Sequence, residues 1–205
     1  MRKSLKILMG TLILAGAGHA VAASDVDLAV KGLITPSACR PSLASGGIVD
    51  YGKISSKDLN PTKPTFLGTR SMAISMTCDS ATPFALLGVD NRPGSSSQAS
   101  FGLGLINGTQ KLGWFYLTWE KAVADGVEVK SVVSEDAGHT WYDYSWFDPG
   151  VYVSVAAIGG SSLPISVKEL AAELNINTSI ARTDGLDLSN EVSIDGSVTL
   201  EVKYL

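Results

Sequence analysis

Side chains able to do acid-base or covalent chemistry are few in this chain. Of two histidines, His19 lies in an N-terminal stretch read below as removable, and His139 sits in the turn Gly138-His139-Thr140. An imidazole is the side chain that most often serves as a general base. No pattern of serine, cysteine or carboxylate around it supplies a nucleophile or an orienting partner, so no catalytic residue is assigned and an enzyme is not expected. Asp184-Gly185-Leu186-Asp187 and Asp25-Val26-Asp27 hold too few oxygen ligands for a calcium loop; no metal set and no cofactor is implied. Cys39 and Cys78 lack the CxxC spacing of a redox motif, and the chemistry they offer is one disulfide, provided the compartment is oxidising. A second kind of chemistry is stacking. Trp141, Tyr142, Tyr144, Trp146 and Phe147, with Trp114, Phe115, Tyr116 and Trp119 upstream, supply flat rings with polar tips. Trp141, Tyr144 and Trp146 are the candidate glycan-binding residues, against the plainer reading that alternation sends such rings into a core.

The N-terminus decides the compartment. Arg2, Lys3 and Lys6 precede the apolar run Ile7-Leu8-Met9-Gly10-Thr11-Leu12-Ile13-Leu14-Ala15, and small residues ending Ala20-Val21-Ala22-Ala23 follow. A basic start, a short apolar stretch and an Ala-x-Ala end make a secretory signal peptide over 1–23, too short to span a bilayer. Its cleavage takes the formal charge from -4 to -7 and leaves a single domain over 24–205 with no membrane span. That charge argues against a nucleic-acid surface. Export places Cys39 and Cys78 in an oxidising space, where the expected bond closes a loop of 39 positions.

Elements of period two must position these residues. Val26, Leu28 and Val30 alternate with Asp27, Ala29 and Lys31 in a first strand over 26–35, and Ile48, Asp50 and Gly52 alternate with Val49, Tyr51 and Lys53. Met72, Ile74 and Met76 share one face of 66–78, whereas 84–89 is a continuous apolar run suited to a buried strand. Asp125-Gly126, Asp136-Ala137-Gly138, Asp148-Pro149-Gly150 and Gly159-Gly160 divide 127–134, 140–147 and 151–158 into an antiparallel meander. Ser166-Val167-Lys168-Glu169 has the form of a capping box and predicts one short helix over 167–173, with strand from Leu174 onward. Leu170, Ala172, Leu174, Ile176, Thr178 and Ile180 on a strand face compete with that helix. Val198, Leu200, Val202 and Tyr204 form the apolar stripe of a final strand. Turn signals every 8–12 residues make the class an all-β antiparallel β-sandwich.

An exported β chain with this cysteine pair, an alternating C-terminal strand and a penultimate Tyr204 resembles the pilin subunits of chaperone–usher fimbriae. Residues 27–39, Gly47-Ile48-Val49-Asp50-Tyr51-Gly52, Asp90-Asn91-Arg92 and Phe101-Gly102-Leu103-Gly104 resemble, more narrowly, the proteobacterial domain of unknown function eleven-twenty family. The fimbrial resemblance implies an immunoglobulin-like (pilin-like) sandwich lacking its last strand. A periplasmic chaperone, and in a fibre the usher-assembled next pilin subunit, would fill the gap by strand addition. It also implies that Val198, Leu200, Val202 and Tyr204 pack beside the groove and that the Leu205 carboxylate meets chaperone basic groups. Only two or three residues separate the cleavage site from Val26, so a first strand over 26–35 leaves no donor arm for a long shaft: either the chain never donates and acts at a fibre end or alone, or Val26–Val30 serves as the arm with a shortened first strand. The expectation is a non-enzymatic fimbrial or adhesion protein of the Gram-negative periplasm or cell surface. A carbohydrate-binding module or tip adhesin, and a self-complete sandwich, stand as alternatives.

Overall fold

The computed structural model describes residues 38–205; the expected signal peptide over 1–23 and strand over 26–35 lie outside them. In chain order the strands are β1 (Cys39–Leu43), β2 (Thr65–Asp90), β3 (Phe101–Gly102), β4 (Leu105–Ile106), β5 (Gln110–Lys111), β6 (Gly113–Ala124), β7 (Val127–Ser134), β8 (Tyr142–Asp143), β9 (Trp146–Phe147), β10 (Tyr152–Ala157), β11 (Ser166–Ile180) and β12 (Val198–Tyr204). Three short 3₁₀ turns complete the described residues, which contain no α-helix.

The helix expected over 167–173 is a correction. β11 is a strand from Ser166, paired with β2 along one edge and with β6 along the other. Both edges of its backbone are thus used in ladders, and the competing stripe Leu170, Ala172, Leu174, Ile176, Thr178 and Ile180 is buried throughout. The capping-box residues are held otherwise: the Asp125 carboxylate accepts from the Lys168 and Glu169 amides, and Asp125 N–H donates to the Glu169 carbonyl at 2.8 Å. Tertiary pairing overrides local helix propensity.

The all-β class and the single disulfide hold, but the strands close on themselves. β6, β11, β2, β10 and β7 pair in that order, and β7 returns to β6 through Val123↔Glu128 and Ala124↔Val127. The result is a barrel-like ring instead of the two separate sheets of the expected sandwich. β2 makes this possible. Its 26 residues join two segments that the sequence reads as separate strands. The first half alternates, burying Ile74, Met76 and Cys78, and pairs with β11; the second buries Phe84, Ala85 and Leu86 in succession and pairs with β10 and β12. The other closing device is the turn between β6 and β7, where Asp125 at φ 50° and Gly126 at φ 81° supply the two positive values of a tight hairpin.

Inside the ring lie Trp119, Phe101, Phe147, Leu117 and Val153. The Trp119 indole donates to Ser131 Oγ at 2.6 Å, satisfying the polar atom of the largest core side chain. β7 has the bounds expected for it, whereas the expected strand 140–147 is reduced to the two-residue β8 and β9. The alternating segment 48–54 carries no strand pairing; its apolar residue Val49 packs against the core while Ile48 faces solvent.

Candidate strand-acceptor groove

Two short strands define an opening in the ring. Among the described residues β1 and β12 pair only with β2, against its 74–78 and 84–90 stretches. Between them lies a groove of about 490 Å³. Pro41 and Leu43 form one wall, Val198 and Leu200 the other, and Leu117, Leu174 and Ile176 belong to the lining. A second cavity of about 480 Å³ shares Val49, Tyr51 and Ile194 with the first and extends it toward Leu59 and Leu188. The segments beside this extension, 48–54 and 188–197, have no strand assignment among the described residues.

The two walls differ in what their backbones offer. In an antiparallel pair, alternate residues turn their N–H and C=O toward the partner and away from it. Asp79 N–H donates to the Ala38 carbonyl, so Arg40 and Ser42 face β2, while Cys39, Pro41 and Leu43 face outward. Pro41 has no N–H, and the Cys39 N–H already donates to the Tyr204 hydroxyl at 2.9 Å. Only Leu43 keeps a donor on that edge, the usual protection of an edge strand. On β12, Leu205 N–H donates to the Pro83 carbonyl, and Asn91 N–H to the Ser197 carbonyl. Val198, Leu200, Val202 and Tyr204 therefore turn their backbone groups outward, and no described residue pairs with them. The same four residues carry the apolar stripe. Val198, Leu200 and Val202 pack half-buried against the core, Tyr204 is 38% exposed, and Leu205 is exposed.

The start of β12 is pinned by the tripeptide Asp90-Asn91-Arg92. The Arg92 guanidinium donates to both Asp195 oxygens at 2.8 Å, Asn91 Nδ2 donates to Ser197 and Thr199 hydroxyls at 3.0 Å, and Asp90 accepts from the Arg92 and Gly102 amides. Gly102 belongs to the same cluster, since a Cβ there would lie 1.9 Å from Ser95 Oγ. Sequence reasoning saw these residues only as a family likeness; what they do is hold the rim of the groove.

One polar atom in the groove lacks a partner. The Tyr51 hydroxyl is buried without a hydrogen bond among the described residues, while its ring lies 5.3 Å beneath the Arg70 guanidinium. Burying such a group unpaired costs about 1–3 kcal/mol. Tyr51→Phe is accordingly expected to raise the melting temperature of the free protein, as differential scanning fluorimetry would show; an unchanged or lower value would mean the hydroxyl is satisfied.

The aromatic residues divide. Phe115, Trp119 and Phe147 are core. Tyr142, Tyr144 and Trp146 are 40%, 48% and 40% exposed, and Trp146 stands 5.5 Å from Tyr144 and 5.7 Å from Tyr116, ring centre to ring centre. Trp141 is half-buried, and its indole donates to the Gly138 carbonyl at 3.0 Å, so only Tyr144 and Trp146 of the three candidate residues meet. The Tyr142 hydroxyl donates to Glu135, which pushes its pKa up to about 12.

His139 is exposed in the turn after β7. Beside it, Asp136 accepts from the Thr140 hydroxyl and amide and from the Ser134 hydroxyl, and these bonds hold its pKa well below the usual 3.8. Asp195 and Asp184, beside Arg92 and Arg182, are lowered too. A lowered carboxylate contributes stability that is present above its unfolded pKa and lost as pH falls through the folded one. Melting temperature is therefore expected to fall as pH drops below about 4, and Asp136→Asn to flatten part of that fall. An identical pH profile for the variant would contradict the assignment.

The class these features define is a disulfide-stapled β protein in which one strand edge above an apolar groove has no partner among the described residues. Over residues 28–102, which hold both cysteines and Asp90-Asn91-Arg92, the chain matches a family profile described as “Protein of unknown function (DUF1120)”. It is also similar to “Protein GltF” of Escherichia coli (strain K12), 26% identical with 89% of each chain covered. “Uncharacterized protein YhcF” of the same organism is 25% identical, with 95% of this chain and 98% of that protein covered. The expected family likeness is thus supported over the matched stretch.

Proposed function

We propose that this chain is an exported, non-enzymatic, pilin-like structural or adhesion protein that works by accepting an added β-strand along β12. The observation that carries the reading is the coincidence of a backbone edge without a partner among the described residues and an apolar stripe on the same four residues, Val198, Leu200, Val202 and Tyr204. Strand addition needs both, because main-chain bonds supply affinity and alternating pockets supply register. The immunoglobulin-like topology belongs to this reading: β2 would serve two layers, and β1 and β12 flank a groove that no described strand fills. The partners it calls for are a periplasmic chaperone, an usher or other pilin subunits, in the periplasm or on the surface of a Gram-negative bacterium. The Leu205 carboxylate is then the point for a basic group of the chaperone.

The test is titration with a synthetic peptide bearing valine at every second position, against a scrambled control. Binding should raise the melting temperature and slow hydrogen exchange at the Leu200 and Val202 amides. If neither changes, and co-expression with a fimbrial chaperone yields no complex, the reading falls.

A second reading, glycan binding, rests on the exposed contact chain Tyr116, Trp146, Tyr144. Alanine at Tyr144 and Trp146 should abolish hits on a glycan array while circular dichroism stays native. An array without hits for the wild type removes this reading.

A further inference from the structure

The outer edge of β12 is complementary to itself. Its solvent face carries Glu201 and Lys203, two positions apart, and in the free molecule they pair with each other, Nζ to Oε2 at 2.6 Å. Suppose a second β12 lies antiparallel along this edge with Val202 opposite Val202 of the second copy. Leu200 then stands opposite Tyr204 of the second copy, and the reverse pair follows by symmetry. These are the residues whose N–H and C=O face outward, so all three pairs exchange backbone hydrogen bonds. Their apolar side chains lie together on the groove side. On the solvent side Glu201 faces Lys203 of the second copy, twice. Sliding the strands by two residues in either direction sets Glu201 against Glu201 or Lys203 against Lys203, and like charges directly opposite destabilise a strand pair.

We propose that β12 of one molecule pairs with β12 of a second copy in this single register, about a two-fold axis through Val202. The occupant of the edge is a second copy of this chain, chosen by charge complementarity. The contact is isologous, so it closes at two molecules and propagates no fibre. It uses the edge named in the proposed function and covers it while no other strand is bound, the management that an unprotected edge requires.

The experiment is sedimentation velocity on the full chain with its disulfide intact. Wild type should sediment as a dimer that dissociates on dilution. Glu201→Lys and Lys203→Glu should each weaken the dimer more than tenfold, because each sets two like-charge pairs across the axis. Mixing the two variants in equal amounts should restore a dimer, since each then faces its opposite, and the double variant E201K/K203E should dimerise alone. Both side chains are substantially solvent-exposed, so the fold should survive, with circular dichroism as the check. A wild type that stays monomeric overturns the proposal; if it still binds the alternating peptide, the strand-acceptor reading survives that failure. Single variants that dimerise like wild type, or a mixture that does not recover, place the contact elsewhere and overturn it equally.

Discussion

Replacing Cys78 with serine is expected to lower the free energy of unfolding by about 4 kcal/mol, the chain-entropy value for a loop of this size. The bond to Cys39 is present and closes 39 positions. Its loss reaches beyond loop entropy, because β1 has five residues and pairs with β2 alone. Without the bond, little holds Cys39 opposite Cys78, and the Cys39 N–H to Tyr204 hydroxyl contact that ties β1 to the end of β12 goes with it. The buried site of Cys78, 1% exposed, would also hold a serine hydroxyl with no bonding partner assured. Urea unfolding of wild type with and without reductant, beside the serine variant, measures the effect. Reduced wild type should fall well below the oxidised protein, and the variant at or below reduced wild type by the cost of the buried hydroxyl. Equal midpoints for all three would mean that β1 is held by its packing and the staple adds nothing.

Proline at two neighbouring positions of β12 is expected to have opposite consequences. Val202 turns its N–H away from β2, so Val202→Pro removes no ladder bond and leaves the sheet much as Pro41 leaves β1. Lys203 turns its N–H toward Ala85 of β2, so Lys203→Pro breaks the ladder and should cost about 3 kcal/mol or more. Function should invert the order. Val202→Pro deletes the central donor of the open edge and should abolish binding of the alternating peptide while the protein stays folded. That combination, a native melting temperature with binding lost, distinguishes an edge used for pairing from one that is merely exposed. If Val202→Pro binds as wild type does, the strand is not added at β12.

Sequence alone determined the faces. Alternation marked the buried side of 72–76 and the stripe 198–204, and the continuous apolar run 84–89 marked a strand covered on both sides, because side-chain burial leaves a period in the residues themselves; the bounds of β7 came from the turn signals on either side of it. Paired cysteines behind an expected secretory signal pointed to the bond that is present. What lay beyond the sequence was which backbone edge met which partner. The helix signal at 166–169 gave way because β2 and β6 take both edges of β11, and local propensity carries no information about those distant ladders. The segment 48–54 alternates like a strand and pairs with none, and the two halves of β2 read as separate strands although one backbone runs through both. The acceptor edge was hidden for the same reason. Val198, Leu200, Val202 and Tyr204 look alike in a finished sheet and in an open one, since periodicity reports only the side-chain face. Whether the N–H and C=O groups of that strand meet a neighbour is settled by long-range pairing, and here, among the described residues, the pairing with β2 alone leaves them outward.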